Sequence, residues 1–239
     1  MVSIVIPIYN ASPYLAACLC SVAGQTYHDI EVIMVDDGSS DDSHAIAQAF
    51  VQADSRFRLY EQPNQGAAVA RNAGMRCAQG EYLAFIDADD YIVADYIQQL
   101  VDAIKGADMV QCGYQRVADD GRILHTDAPT SAYKLTSPDM RLYRLDWLRK
   151  HRLSFPEGYI YEDVLFSLRV WAAKPRIVVL PYCGYQYRLN EHSVTSHHQW
   201  ANIRRLFIAI QKESAPVWLK FYTVGRLLCH FVLLPFYPR

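Results

Sequence analysis

Apolar residues arrive along this chain in short blocks, each running into a polar turn. "VSIVIPIYN" (2–10), "DIEVIMVDD" (29–37), "FRLYEQ" (57–62) and "EYLAFIDADD" (81–90) are rich in β-branched and aromatic residues. That is the pattern of strands buried on both faces. Between them, "SPYLAACLCSVAGQ", "SHAIAQAFVQA" and "GAAVARNAGMRCAQG" carry helical spacing. Ser12 suits a helix N-cap, Pro13 the first helical position and Gly24 the stop. The resulting β-α-β-α-β-α-β order implies parallel strands joined by right-handed crossovers. Ligands in such sheets sit beyond the carboxyl ends of the strands. Tyr9, Asp36, Asp37, Asn64, Asp87 and Asp89 all fall at or just after predicted strand ends.

The rhythm changes after Lys105. "ADMVQCGYQRV" (107–117) predicts one strand, with "GRILHTD" (121–127) pairing back across a turn at Asp119–Gly121. "SPDMRLYRLDWLRKH" (137–151) predicts a helix capped by Ser137. "YEDVLFSLRVWAAK" (161–174) predicts another, with Glu162 and Asp163 at its start, and "RIVVLPYCGYQYRL" (176–189) a further strand. Residues 217–239 are dense in aromatic and aliphatic side chains. Their uncharged run, Leu227–Tyr237, is broken by His230 and Pro235 and is too short to span a bilayer. Lys220, Arg226 and Arg239 beside the aromatics fit a helix lying on a membrane surface; a helix docked on the domain fits the composition equally well.

Composition narrows the function classes. A chain of 239 residues that is 51% hydrophobic has material for a substantial core. A formal net charge of −2 argues against a nucleic-acid-binding surface. Six cysteines form no CxxC pair, so reduced thiols in a cytoplasmic protein are expected rather than disulfides or zinc. "MVSIVIPIYN" reads as a first strand and not as a signal peptide.

The acidic strand end holds the candidate chemistry. In an extended segment Asp87 and Asp89 point to the same side, and two carboxylates so placed suit a hard divalent cation that also takes phosphate oxygens. A helix N-terminus would explain Asp90 but not Asp87, which is still on the strand.

"VSIVIPIYN", "SVAGQTYHDIEVIMVDDGSSDDS", "NQGAAVARNAGMRCAQGEYLAFIDADD" and "YEDVLF", in that order and at these spacings, resemble an inverting family 2 glycosyltransferase. The resemblance implies an α/β chain of the GT-A type, Rossmann-like, with a mainly parallel central sheet flanked by helices. It implies a nucleotide-sugar-binding part over 1–105 and an acceptor-binding and catalytic-base part over 106–200. An apolar helical tail would follow over 201–239. Pro7 and Tyr9 would frame the nucleobase, and Asp37 would accept from its ring N–H, favouring a UDP-sugar donor. Asn64 and Arg71 would help hold the nucleotide, Asp87 the ribose, and Asp89 a Mn²⁺ or Mg²⁺ ion on the diphosphate. Arg188 and His192, after the last strand, would close over that diphosphate. Asp163, beside Glu162, would be the catalytic base. The implied activity is sugar transfer with inversion to a hydroxyl of a glycan or lipid-linked acceptor in bacterial surface polysaccharide synthesis. The enzyme would sit in the cytoplasm, with peripheral contact to the inner face of the membrane.

Other classes fit less well. A phospho-receiver module needs a Lys at a later strand end, and Lys174-Pro175 ends a predicted helix instead. A nucleotidyltransferase needs a Gly-rich basic loop after the first strand, which "YNASPY" does not provide. A non-catalytic nucleotide-sugar-binding protein of the same fold would not need both Asp89 and Asp163. Trp147, Trp171 and Tyr161 could line an acceptor pocket, but their helical spacing suits the core better.

Overall fold

A computed structural model describes residues 1–131, 137–189 and 200–228. Four parallel strands form its centre: β1 (Val2–Ile8), β2 (Ile30–Asp36), β3 (Phe57–Glu61) and β4 (Tyr82–Phe85). The helices α1 (Ser12–Ala23), α2 (Ser43–Ala53) and α3 (Ala67–Cys77) connect them. The chain continues through β5 (Tyr91–Ile92), α4 (Tyr96–Ala103), β6 (Met109–Gln111), β7 (Tyr114–Val117), β8 (Ile123–Asp127) and β9 (Arg141–Arg144). Then come α5 (Leu145–Lys150), α6 (Glu162–Ala172), β10 (Ile177–Val179), β11 (Tyr185–Arg188), α7 (Trp200–Lys212) and α8 (Val217–Leu228).

The large sheet runs β10-β6-β9-β4-β1-β2-β3, with β9 alone antiparallel to its neighbours. A smaller sheet runs β5-β11-β7-β8. Alternation along β1 fills two core layers. Ile4, Ile6 and Ile8 pack with Leu15, Leu19 and Met34 on one face, and Val5 with Ile33, Phe85 and Phe166 on the other. α3 lies so close to β1 that a Cβ at Gly74 would meet Val5 Cγ1 at 2.4 Å. A third cluster joins α6 to α7 and α8 through Leu168, Trp171, Leu206, Ile210 and Leu219. Among the described residues no helix is long and apolar enough to cross a membrane, and all five described cysteines are free.

Four expectations change. Residues 141–144 form a strand where a helix was expected. "RLYR" serves either period, and burial between β4 and β6 decides for the strand. Arg141 is fully buried there, donating to Gln111 Oε1 at 3.1 Å and Ser167 Oγ at 2.8 Å. The single strand expected over 107–117 splits into β6 and β7, which belong to different sheets. Gly113 marks the split, where a Cβ would meet the Asp127 carbonyl oxygen at 2.3 Å. The strand expected over 176–189 likewise divides into β10 and β11, around Pro181. Ser12 does not cap α1: Ala11 occupies that position and no side chain bonds there. The chain ahead of α1 is held from α2's entry instead, with Ala11 N–H donating to Ser43 Oγ and Ser12 N–H to Asp41 Oδ2.

Candidate active site

The carboxyl ends of β1, β2 and β4 open on the same edge of the sheet. Tyr9 follows β1 with 53% of its surface exposed, and Pro7 lies two residues earlier, across from Val35. Asp37 follows β2 and is buried. Its Oδ1 accepts from Gln62 Nε2 (2.7 Å) and Gln65 N–H (2.9 Å), and its Oδ2 from Gly66 N–H (2.7 Å). Asp37 thus fastens the loop ahead of α3 to the end of β2. Gly38 permits this by taking φ +74°, since a Cβ there would meet Asn64 N at 2.9 Å. Asn64 itself is exposed.

Residues 87–90 are a turn and not extended strand. The shared direction expected of Asp87 and Asp89 therefore does not apply, and the three acids of the turn have different surroundings. Asp87 Oδ1 accepts from Arg71 Nη2 at 2.6 Å. Asp90 is buried, accepting from Tyr185 OH at 2.7 Å and from Arg188 N–H at 2.9 Å, so it pins β11 beneath the turn. Burial and the neighbouring charges of Asp89 and Asp87 push its carboxyl well above the usual range. Asp89 is half-buried at the tip.

Arg71 is the centre of the arrangement. Helix α3 carries it into the site with 5% exposure, its guanidinium over the Phe155 ring at 5.4 Å. Nη1 donates to Glu162 Oε1 at 2.6 Å, as Nη2 does to Asp87. Burial alone would weaken its charge, but Asp87, Asp139 and Glu162 outweigh that and hold it protonated. The adjacent Asn72 clamps the Phe155 backbone from both sides, donating to its carbonyl oxygen (2.9 Å) and accepting from its N–H (2.8 Å). The segment entering α6 is thereby fixed to α3. Tyr161, at the left-handed φ of 71°, turns the chain so that Glu162 and Asp163 open the helix.

Asp163 is half-buried beside this ion-paired group. Burial first, then the charges of Glu162 and Asp87, raise its carboxyl to about 7, against the pull of Arg71 and the Val164 N–H. Its affinity for a proton is therefore matched to neutral pH, as a general base requires. Arg188 belongs to β11, its guanidinium 5.1 Å from the Tyr14 ring and 5.4 Å from the Tyr91 ring. His192 lies outside the described residues. Trp147 and Trp171 are core residues, and Tyr161 is half-buried at the entry to α6.

The structure thus gathers Asp87, Arg71, Glu162 and Asp163 into one group. It places Pro7, Tyr9, Asp37 and Asn64 along the neighbouring strand ends. Sequence reasoning missed Asp139, a buried acid within electrostatic range of Asp87, Arg71 and Asp163. Its surroundings, "SPDMRLYR", carry no signal beyond a helix cap.

Comparisons with known proteins bear on the family and the fold. The sequence profile described as Glycosyl transferase family 2 matches residues 3–157. The putative glycosyltransferase EpsH of Bacillus subtilis is 36% identical over 83% of this chain and 63% of its own. The chain thus spans less than two thirds of that relative's length. An uncharacterised glycosyltransferase of Haemophilus influenzae is 43% identical, over 91% of this chain and 85% of its own. TuaG of Bacillus subtilis, a putative teichuronic acid biosynthesis glycosyltransferase, is 28% identical over 97% and 90%. Among solved structures, S. aureus TarS with UDP-GlcNAc superposes with a TM-score of 0.76 at 24% identity, covering 97% of this chain and 72% of TarS. The mannosyltransferase PcManGT of Pyrobaculum calidifontis, with GDP-Man and Mn²⁺, gives 0.70 at 17%, covering 100% and 76%. The fold is the GT-A Rossmann-like arrangement. With residues 3–157 matched by the profile and a relative 43% identical over 91% of its length, the chain belongs to glycosyltransferase family 2.

Proposed function

We propose that the chain moves a sugar from a UDP-sugar to a hydroxyl of a glycan or lipid-linked acceptor, inverting the anomeric carbon, in bacterial surface polysaccharide synthesis. The observation that carries this reading is the ion-paired link Asp87–Arg71–Glu162, which sets Asp163 beside the strand end where a nucleotide sugar would lie.

In this reading Tyr9 and Pro7 flank the base. A carboxylate has about four acceptor positions, and Asp37 uses three of them within the protein. One remains, on Oδ2. Uracil offers one ring N–H on its edge, whereas guanine offers an N–H and an amine, so the arithmetic favours uridine. Asn64 borders the same loop, and Asp87, with 31% of its side chain exposed, is open to a ribose hydroxyl. Arg188, at the end of β11, adds positive charge on the diphosphate side. The described residues contain no cluster of three or more metal-ligating side chains. Mg²⁺ and Mn²⁺ do not need one, because they bind through one or two carboxylates together with waters and substrate phosphates. In this reading Asp89, half-buried at the tip of the turn, takes that role. A cation there would offset charge on the departing nucleoside diphosphate.

Asp163 takes the acceptor hydroxyl's proton as its oxygen bonds to the anomeric carbon. The bond from that carbon to the diphosphate oxygen breaks, and its electron pair leaves with the nucleotide. Attack opposite the leaving group gives a single displacement, hence inversion. Glu162 and Arg71 hold the base's helix against the donor side. On α8, Val217, Trp218 and Phe221 are 67%, 57% and 69% exposed. They support peripheral contact with the inner face of the cytoplasmic membrane.

The test is calorimetric titration with UDP and GDP, each with and without Mn²⁺, followed by transfer assays over a UDP-sugar panel. UDP binding that needs metal, lost in Asp89→Ala, is expected. Asp163→Asn should keep UDP affinity and lose on the order of 10²–10⁴-fold in turnover. Failure of both nucleotides to bind would overturn the reading, and GDP binding alone would overturn the uridine assignment.

A further inference from the structure

Two clefts meet at the end of α5. One, of about 520 Å³, lies between α3 and α5 and is lined by Arg76, Arg149 and Arg152, with Glu157 the one acid among its described residues. The other, of about 400 Å³, lies between α5, α6 and the turn from α7 to α8, with Arg152, Arg169 and Glu213 on its walls. Arg152 and Leu153 line both, so the two are continuous. In the second cleft Glu213 is taken up by Arg169, at 2.7 and 3.0 Å. In the first, Arg76, Arg149 and Arg152 are all exposed. Ala215 ends the lining of the second cleft, and two residues later α8 opens with Val217, Trp218 and Phe221 facing solvent. A basic cleft thus runs into an apolar helix face.

The place of Arg152 in this lining is not explained by the helix. Leu153 N–H donates to the Leu148 carbonyl oxygen and Arg152 N–H to that of Arg149, both at 3.0 Å. Leu153 packs back on the cluster that holds Leu148. This is a Schellman ending, whose left-handed position ordinarily falls to glycine. Arg152 occupies it instead, at φ 53°. A side chain in that region strains the backbone. The negative end of a helix favours basic residues in its last turn, which accounts for Arg76 on α3 and for Arg149 and Lys150 on α5. With two cations already there, the end of α5 gives no reason for a third at a strained position.

We propose that this cleft receives the phosphate of an anionic phospholipid headgroup, with Arg76, Arg149 and Arg152 around it, while the apolar start of α8 enters the same lipid surface. The inference rests on the membrane contact proposed for α8 and names the lipid it selects. A guanidinium meets phosphate oxygens two at a time, and the larger cleft has room for a phosphodiester with several waters. An apolar helix face bordered by cations suits an anionic membrane surface. A second copy of the chain could cover the α8 face but would leave the arginines without counter-charge.

The experiment is sedimentation of the full chain with phosphatidylglycerol vesicles and with phosphatidylcholine vesicles, for the parent, Arg152→Gly, Arg76→Gln and Phe221→Ser. Arg152→Gly removes the charge and relieves the backbone, so its urea midpoint should not fall below the parent's. Each arginine variant should lose about fivefold in partition onto phosphatidylglycerol and nothing on phosphatidylcholine. Phe221→Ser should lose partition on both. Phosphatidylglycerol partition equal in the parent and both arginine variants overturns the proposal, and a loss in Phe221→Ser alone then leaves the α8 reading standing. A parent that shows no preference for phosphatidylglycerol, yet binds inorganic phosphate in calorimetry, assigns the cleft to a soluble phosphate and also overturns it. Phe221→Ser sedimenting like the parent removes the α8 reading and this inference with it.

Discussion

Arg71 looks on paper like an exposed helix arginine, with small neighbours on each side. It is instead buried, with one carboxylate on each outer nitrogen. Removing one member of a buried ionic group leaves the others uncompensated. Arg71→Met should therefore cost about 3 kcal/mol in urea unfolding. Arg71→Lys should recover only part, because an ammonium cannot present two planar donors to two acids. The sequence made Asp89 and Asp163 visible because the family's motifs put acids at those positions. It did not reveal what Arg71 touches or that Asp139 is buried. Both depend on distant segments meeting, Glu162 lying 91 positions from Arg71. No local pattern encodes such a meeting.

Elements were legible where one period dominates. β1 to β4 and α1 to α3 fall where their apolar spacing puts them, because the strands are buried on both faces and the helices carry a stripe. β9 was missed because "RLYRLDWL" serves both periods and only its sheet neighbours choose between them. The contact between α3 and β1 gives a sharp test. Gly74→Ala would drive its methyl into Val5, whose position in the central strand is fixed on both sides. Overpacking of this kind costs about 1–3 kcal/mol. Chemical denaturation should show that loss, with a slope close to the parent's if the fold survives.

Across the whole molecule, two sets of acids pull stability in opposite directions with pH. Asp41 is lowered to about 2: burial opposes this, but hydrogen bonds from Ser43 and Ser12 outweigh it. Asp54 and Asp108 are also lowered, by bonds from Arg56 and Arg176. Their contribution is present above the usual carboxylate range and is lost as pH falls toward 2. Asp139 and Asp163 are raised to about 7 by burial. Between about 4 and 7 the folded chain binds more protons than the unfolded one, so stability falls as pH rises through that window. Urea midpoints measured from pH 4 to 8 should peak on the acid side of neutrality, while turnover climbs toward pH 7 and above as Asp163 ionises. The apolar face of α8 is tested separately. Phe221→Ser should weaken sedimentation with anionic lipid vesicles and leave UDP binding unchanged; equal sedimentation would remove the membrane proposal.

The guanidinium of Arg71 touches two acids, Asp87 after β4 and Glu162 at the start of α6, which the proposed reading puts on the nucleotide side and the base side. A ligand that draws on Asp87 weakens that acid's hold on Arg71 and leaves more of the cation to Glu162. Anything engaging Glu162 does the converse. Affinities at the two halves are then linked, and linkage of binding is reciprocal by necessity. Donor and acceptor would each report the other's presence through one shared side chain, by the same factor whichever of them binds first.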